Sequence, residues 1–317
     1  MKSMTCVGVA LAMASMVAAG CAAGDDEAAA TATGAVATTA MATEAPLPES
    51  VQQLDIVATD HAFDITPDPS TPLRPGWTTV KLRNDGAEAH QVMFARVKDG
   101  VDMAELAAAG AGDSSGSGAI EFVDMLGGVS YIGPGNEITA MVELPEGPLL
   151  AMCYVPDADG VAHALMGMTA AFTVSADAPA STEPAGDADS RGEVVRGTID
   201  LAADGYGIPT PLPTGWYHVV NTDTADPATG LHELALLRME RATDADETRE
   251  LVEQLAENVA PDMDLDAVGG LGAISAGFDG YLYLDLPDGD YLAVDFMPDP
   301  RDPRPHMVDG YYATFRP

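Results

Sequence analysis

The chain has 317 residues, with 14 Lys and Arg against 50 Asp and Glu, and a net charge of −36 at pH 7. That imbalance repels polyanions, so nucleic acid and anionic lipid surfaces are excluded as charge-driven partners. The length suggests about two domains. Of the three cysteines, Cys6, Cys21 and Cys153, the first lies in an N-terminal apolar segment, so a disulfide framework is excluded.

Residues 1–20 read as a signal peptide, with Lys2 as the positive start and Val7 to Ala19 as an apolar run too short to span a bilayer. The run ends Val17-Ala18-Ala19-Gly20-Cys21, which resembles a bacterial lipobox and marks Cys21 as the expected lipidation site. A lipid there would anchor the protein without a spanning helix. The expected location is extracytoplasmic, with the anchor as the only membrane contact. Residues 21–49 carry almost no large apolar side chains and read as a tether. A flexible coil of that length reaches roughly 30 Å.

From residue 50 the texture changes to short alternating runs broken by Gly and Pro. Gln53–Ala58, Trp77–Leu82, His90–Val97, Ile138–Leu144, Leu149–Val155 and Ala170–Val174 are the expected strands. One helix is expected from Asp102, where Glu105 three residues on makes a relative of the capping box. The pattern then recurs. His90 matches His232, Asp102 and Glu105 match Asp244 and Glu247, and Gly127-Gly128 match Gly269-Gly270, each 142 residues on. His163 matches His306 after one inserted residue. The expected organisation is one domain over 50–175, a linker over 176–193 rich in Ala, Pro, Ser, Thr and Asp, and a second domain over 194–317. The second helix, Asp244 to Asn258, places Leu251, Val252 and Leu255 on one face for packing against the sheets.

His90, Cys153, His163 and Met168 occur in that order in the first repeat. Two imidazoles, one thiolate and a weak axial thioether form a blue-copper ligand set. The order resembles that of the cupredoxins, as does the flanking text Gly167-Met168 and Ala171-Phe172-Thr173-Val174. Nine residues separate Cys153 from His163, more than cupredoxin loops usually hold. Met166 is an alternative axial ligand. The resemblance implies an all-β fold: two tandem cupredoxin-like Greek-key β-sandwiches, each with a short helical insertion. It further implies one copper ion in the first repeat, serving electron transfer or copper handling, with a redox or copper-delivery protein as partner. Enzymes built from such repeats, the multicopper oxidases and copper nitrite reductases, need extra histidine clusters. This chain has six histidines in all, leaving only His61 and His218 over. No nucleophile elbow, P-loop or dinucleotide fingerprint is present, so no enzymatic activity is expected. The competing expectation is a metal-free binding module on the same fold.

The second repeat changes the ligands. Asp295 stands at the Cys153 position and Tyr311 at the Met168 position. His232, Asp295 and His306 could hold a divalent ion as two imidazoles and a carboxylate. The expected alternative is a charge-assisted hydrogen-bonded trio, since a buried carboxylate needs partners. Asp295 is expected on the strand face of Tyr291 and Ala293, opposite Leu292, Val294 and Phe296.

Overall fold

The computed structural model describes residues 51–112, 117–181, 195–224, 230–299 and 302–317. The signal-like segment, Cys21, the tether and residues 182–194 of the linker lie outside them. Among the described residues no helix is long and apolar enough to cross a membrane.

In the first repeat the strands are β1 (Gln52–Thr59), β2 (Ala62–Thr66), β3 (Gly76–Asn84), β4 (His90–Val97), β5 (Val123–Ile132), β6 (Glu137–Leu144), β7 (Gly147–Met152) and β8 (Thr169–Val174). In the second they are β9 (Val195–Ala202), β10 (Gly205–Gly207), β11 (Gly215–Asn221), β12 (His232–Met239), β13 (Leu265–Ile274), β14 (Asp279–Leu284), β15 (Asp290–Val294), a small β16 (Pro298–Asp299) and β17 (Asp302–Pro305) hairpin, and β18 (Tyr312–Phe315). Helices α1 (Met103–Gly110) and α2 (Ala245–Ala256) occupy matching places in the two repeats. The fold is all-β, as expected.

Each repeat is a two-sheet sandwich. One sheet of the first repeat runs β6-β3-β1-β2, with β1 parallel to β3, and the other runs β5-β4-β7-β8. The second repeat copies both, down to the parallel β9–β11 pair. Strand alternation sorts side chains as period two requires. Leu149, Ala151, Cys153 and Val155 enter the core between the sheets, while Met152 joins a separate cluster on the outer face. In the second repeat Ala293 faces the same core, and Leu292 and Val294 pack with Leu251 and Val252 of α2.

The repeats are fused through both sheets. β5 pairs antiparallel with β13, and β6 with β14, so two sandwiches make two continuous eight-stranded sheets. The register is a two-fold one. Val129 pairs with Leu271 and Ala140 with Leu282, each with its own counterpart 142 positions on. Loop bonds obey the same symmetry: Gly133 N–H donates to Ala267 O at 2.7 Å, and its counterpart Ser275 N–H to Met125 O at 3.0 Å. This join gives four strands, two per repeat, the partner that an open edge lacks. The second glycine of each duplicated Gly-Gly pair is set by the neighbouring strand of its own repeat, β4 or β12, and not by the join. Gly128 and Gly270 hold φ values of +134° and +148°, and a Cβ on either would collide with the carbonyl of Val92 or Leu234 on the neighbouring strand.

Differences from the expected elements are local. β7 ends at Met152, one residue before Cys153, because the Cys153 carbonyl leaves the ladder to accept from Ala164 N–H at 2.7 Å. Asp102 caps α1 by accepting from Ala104 N–H at 2.7 Å, whereas only α2 forms the full reciprocal box between Asp244 and Glu247. The start of the expected linker stays on the first repeat as far as Ser181, whose N–H donates to Pro75 O at 2.8 Å.

Candidate metal centre

Cys153, His90 and His163 come from three places in the chain and meet at one end of the first sandwich. His90 opens β4, Cys153 follows β7, and His163 opens a short 3-10 turn, His163–Met166. The long intervening loop is closed by its own hydrogen bonds. Asp157 Oδ1 accepts from Asp159 N–H at 2.9 Å and Val161 N–H at 2.8 Å, and His163 N–H returns to Val155 O at 2.9 Å. Pro156 and Ala162 then face each other as a bridge. Nine residues are thus spent on a hairpin, and its ends are no further apart than a short loop would hold them.

Ligating atoms of His90, Cys153 and His163 lie within 4.8 Å of one another, and all three side chains are buried. Cys153 Sγ stands 3.6 Å from His163 Nδ1. Neither ring nitrogen of His90 has a hydrogen-bond partner. A buried imidazole with both nitrogens unpaired is a costly arrangement in a folded protein. The neighbours explain why nothing fills the space: Gly86 lacks a side chain, and a Cβ there would stand 2.8 Å from His90 Nε2. Asp60 Oδ1 is 3.9 Å from that nitrogen, beyond hydrogen-bond reach. Burial pushes the His90 pKa down to about 4, helped by His163, so the ring stays neutral and its lone pair available. Burial likewise lowers His163 and raises the Cys153 thiol to about 12, while backbone amides of Gln91 and Val155 donate to the sulfur and oppose that rise. The residues therefore fit a soft metal ion: a thiol set in place by two amides, and two neutral imidazoles, one of them otherwise orphaned.

Met168 is fully buried in the same core cluster as Cys153, and its carbonyl accepts from Cys153 N–H at 3.2 Å. Met166 is exposed. His61, left over in the sequence, packs its ring edge-on to His163 at 5.0 Å. Glu88 Oε2 lies 3.0 Å from His163 Nε2 but off the direction of a well-formed hydrogen bond. These two neighbours carry no motif. Glu88 is two residues from His90, the only hint available, and His61 arrives through the β1–β2 turn.

The second repeat closes the corresponding space with carboxylates. Asp295 Oδ2 lies 2.8 Å from His232 Nδ1 and 3.0 Å from His306 Nδ1, and Oδ1 accepts from Met297 N–H at 2.9 Å. His232 Nε2 faces Asp223 Oδ2 at 3.2 Å. Asp223 stands where the first repeat has Gly86. Asn84 and Asn221 are matching anchors, each donating to a β-strand carbonyl, Ile132 or Ile274, and the residue two further on returns its N–H to the anchor. Tyr311 lies flat on His232, 4.1 Å between centroids at 9°. This is the hydrogen-bonded trio expected from the sequence, with Asp223 as a fourth member that the sequence did not announce. The same three residues also satisfy the spacing of a metal set. His218, the last histidine, stacks on Tyr281 and pairs with Asp279, remote in the fold from either cluster.

No protein-family model and no curated protein matches the chain. Among solved structures, a dithionite-reduced auracyanin from Roseiflexus castenholzii is 20% identical, over 39% of this chain and 97% of that one, with a TM-score of 0.29. Auracyanin A, a "blue" copper protein from Chloroflexus aurantiacus, is 15% identical over 39% and 98%, with a TM-score of 0.28. A multicopper oxidase is 16% identical over 84% and 88%, with a TM-score of 0.24. On the chain's own topology each repeat is a two-sheet β-sandwich with one parallel strand pair. The case for a metal rests on the chain's own geometry, the convergence of one Cys and two His at one end of the first sandwich.

Proposed function

We propose that the first repeat binds one copper ion that His90, Cys153 and His163 would hold, with Met168 as a weak further donor, and that the protein carries single electrons or handles copper outside the cytoplasm. The observation that carries this reading is the buried convergence of a thiol and two imidazoles with both nitrogens of His90 unpaired. Copper would supply one-electron chemistry, its potential set by the thiolate and the axial group. The chain supplies the rest. β4 carries His90, its partner β7 delivers Cys153 one residue past its end, and the 154–162 hairpin fixes His163, so the donors would stay in place in either oxidation state. His163 lies against His61 and Glu88, which are 42% and 44% exposed, and we take this side as a route from the site to a partner protein. We read the role as electron carriage or copper delivery because the first repeat offers a single buried set of one thiol and two imidazoles.

Whole chain titrated with Cu(II) should bind one equivalent and develop a strong visible thiolate-to-copper band. Cys153→Ser should abolish the colour and keep the fold, since the hydroxyl is near-isosteric but a poor soft ligand. A colourless wild-type chain would leave the metal-free module as the better reading. We further propose export and anchoring through a lipid on Cys21. Mass spectrometry of the native N-terminus checks this, and an unmodified start elsewhere would end it.

A further inference from the structure

Beside the metal centre, the two repeats enclose a cavity of about 790 Å³ that the reading above does not use. One wall is the 154–160 part of the Cys–His hairpin. The opposite wall is the end of α2 and the segment after it, and the floor is formed by β4, β12 and the residues after β15. A volume of this size suits a small organic ligand.

The lining has two properties that together specify a ligand. Its body is apolar and aromatic: Tyr131 and Phe296 stack at 4.4 Å, and Tyr154 stands on the facing loop. Its ionisable members are all acids, Glu88, Asp157, Glu233 and Asp264, and among the described residues no Lys, Arg or His lines it. On its own an acidic rim is only a solvated surface. The floor is different. Glu233 is fully buried, which raises its pKa to about 8; Oε1 accepts from Ser130 Oγ at 2.6 Å across the repeat junction, the Phe296 backbone amide lies beside the carboxyl, and among the described residues Oε2 makes no well-formed bond. Gln91, its counterpart 142 positions earlier, is 1% exposed and leaves Oε1 with no partner. Both residues are among those that line the cavity, so buried acceptors without a well-formed partner border it. An unpaired buried acceptor costs about 1–3 kcal/mol, and a donor placed against it recovers that cost.

We propose that this cavity binds an organic amine, with the ammonium group against Glu233 and Gln91 and an aromatic or alkyl body between Tyr131, Phe296 and Tyr154. A cationic head supplies donors to these acceptors and favours the ionised form of Glu233, which burial alone disfavours, and aromatic faces favour a cation nearby. The strongly negative chain raises the local concentration of such ligands, whereas an anionic ligand would meet four acids and no counter-charge. This inference does not depend on copper.

The test uses the metal-free whole chain in about 0.15 M salt, where diffuse surface attraction is screened. Calorimetric titrations compare 2-phenylethylamine, 2-phenylethanol and 3-phenylpropionate, which share a ring and differ in the head group. The amine should bind with 1:1 stoichiometry, the alcohol at least about tenfold more weakly, and the carboxylate not measurably. Glu233→Gln should reduce the amine to the level of the alcohol. Ala158→Trp, at the exposed rim of the cavity, should weaken amine binding without changing the melting temperature, and it decides the matter if Glu233→Gln does not fold. Equal binding of amine and alcohol, no saturation by any of the three, a preference retained in Glu233→Gln, or binding unaffected by Ala158→Trp would each overturn the proposal.

Discussion

The two ends of this molecule put the same pair of histidines to opposite uses. In the first repeat His90 and His163 converge on a thiol, and Gly86 keeps the far side of His90 clear. In the second, His232 and His306 converge on a carboxylate oxygen, and Asp223 occupies the far side of His232. One end leaves both buried nitrogens of His90 unpaired among the described residues, and at the other His232 Nδ1, His232 Nε2 and His306 Nδ1 lie within 3.2 Å of carboxylates. A duplicated fold can therefore keep its histidines for two unrelated reasons. Loss of Cys and Met does not strip the second copy of function for those rings. It replaces a ligand problem with a hydrogen-bond solution, which holds Tyr311 flat on His232 where the first repeat has a methionine.

If that comparison is right, the difference between the ends is reversible by side chain alone. Asp295→Cys combined with Tyr311→Met should give a chain that binds a second equivalent of copper and roughly doubles the thiolate band. An unchanged stoichiometry would show that the backbone of the second repeat, and not its side chains, excludes the metal.

Asp295→Ala should produce a smaller effect of a different kind. It leaves His232 Nδ1, His306 Nδ1 and Met297 N–H without their acceptor, and should destabilise the chain by about 1–3 kcal/mol, read as a lower melting temperature with copper stoichiometry unchanged. A chelator should leave the wild-type melt of the copper-free chain where it is. A melt that falls on chelation and recovers with a divalent ion would instead make His232, Asp295 and His306 a metal site.

The smallest effect is expected at Gly86. Gly86→Ala places a methyl group against His90 Nε2 and Asp60 Oδ1, at 2.8 and 2.7 Å before relaxation, and so tilts the ring. Copper affinity should fall by about tenfold, in the range for disturbed outer-shell support, with little change in the melt of the metal-free chain. No change in affinity would mean that the open space behind His90 has no part in metal binding.

Much of this was legible in the sequence because duplication prints the same signal twice. The 142-residue spacing gave the repeats, the alternation gave the faces of Cys153 and Asp295, and Asp244 with Glu247 marked the start of α2. β5 and β13 were harder, since each holds a Gly-Gly pair that reads as a turn. Gly128 and Gly270 sit mid-strand because neighbouring backbone comes too close for a side chain, and at Gly127 and Gly269 packed isoleucine and valine side chains take the space. Fusion of the sheets was not legible either, because edge pairing is a matter of backbone groups and leaves no side-chain pattern. At the site, donors with special chemistry stood out by residue type. Glu88, Gln91, Asp223 and Glu233 did not, since a buried carboxylate or amide looks in sequence like any surface one.

The central claim is that Cys153 and two imidazoles bind copper in the first repeat alone. X-ray absorption at the copper edge of the loaded whole chain tests it most directly. The account predicts one copper per chain with a single short sulfur neighbour and two nitrogen neighbours near 2 Å, as donors converging on one ion must provide. A shell of nitrogen and oxygen with no short sulfur, or two coppers in the unaltered chain, would contradict it.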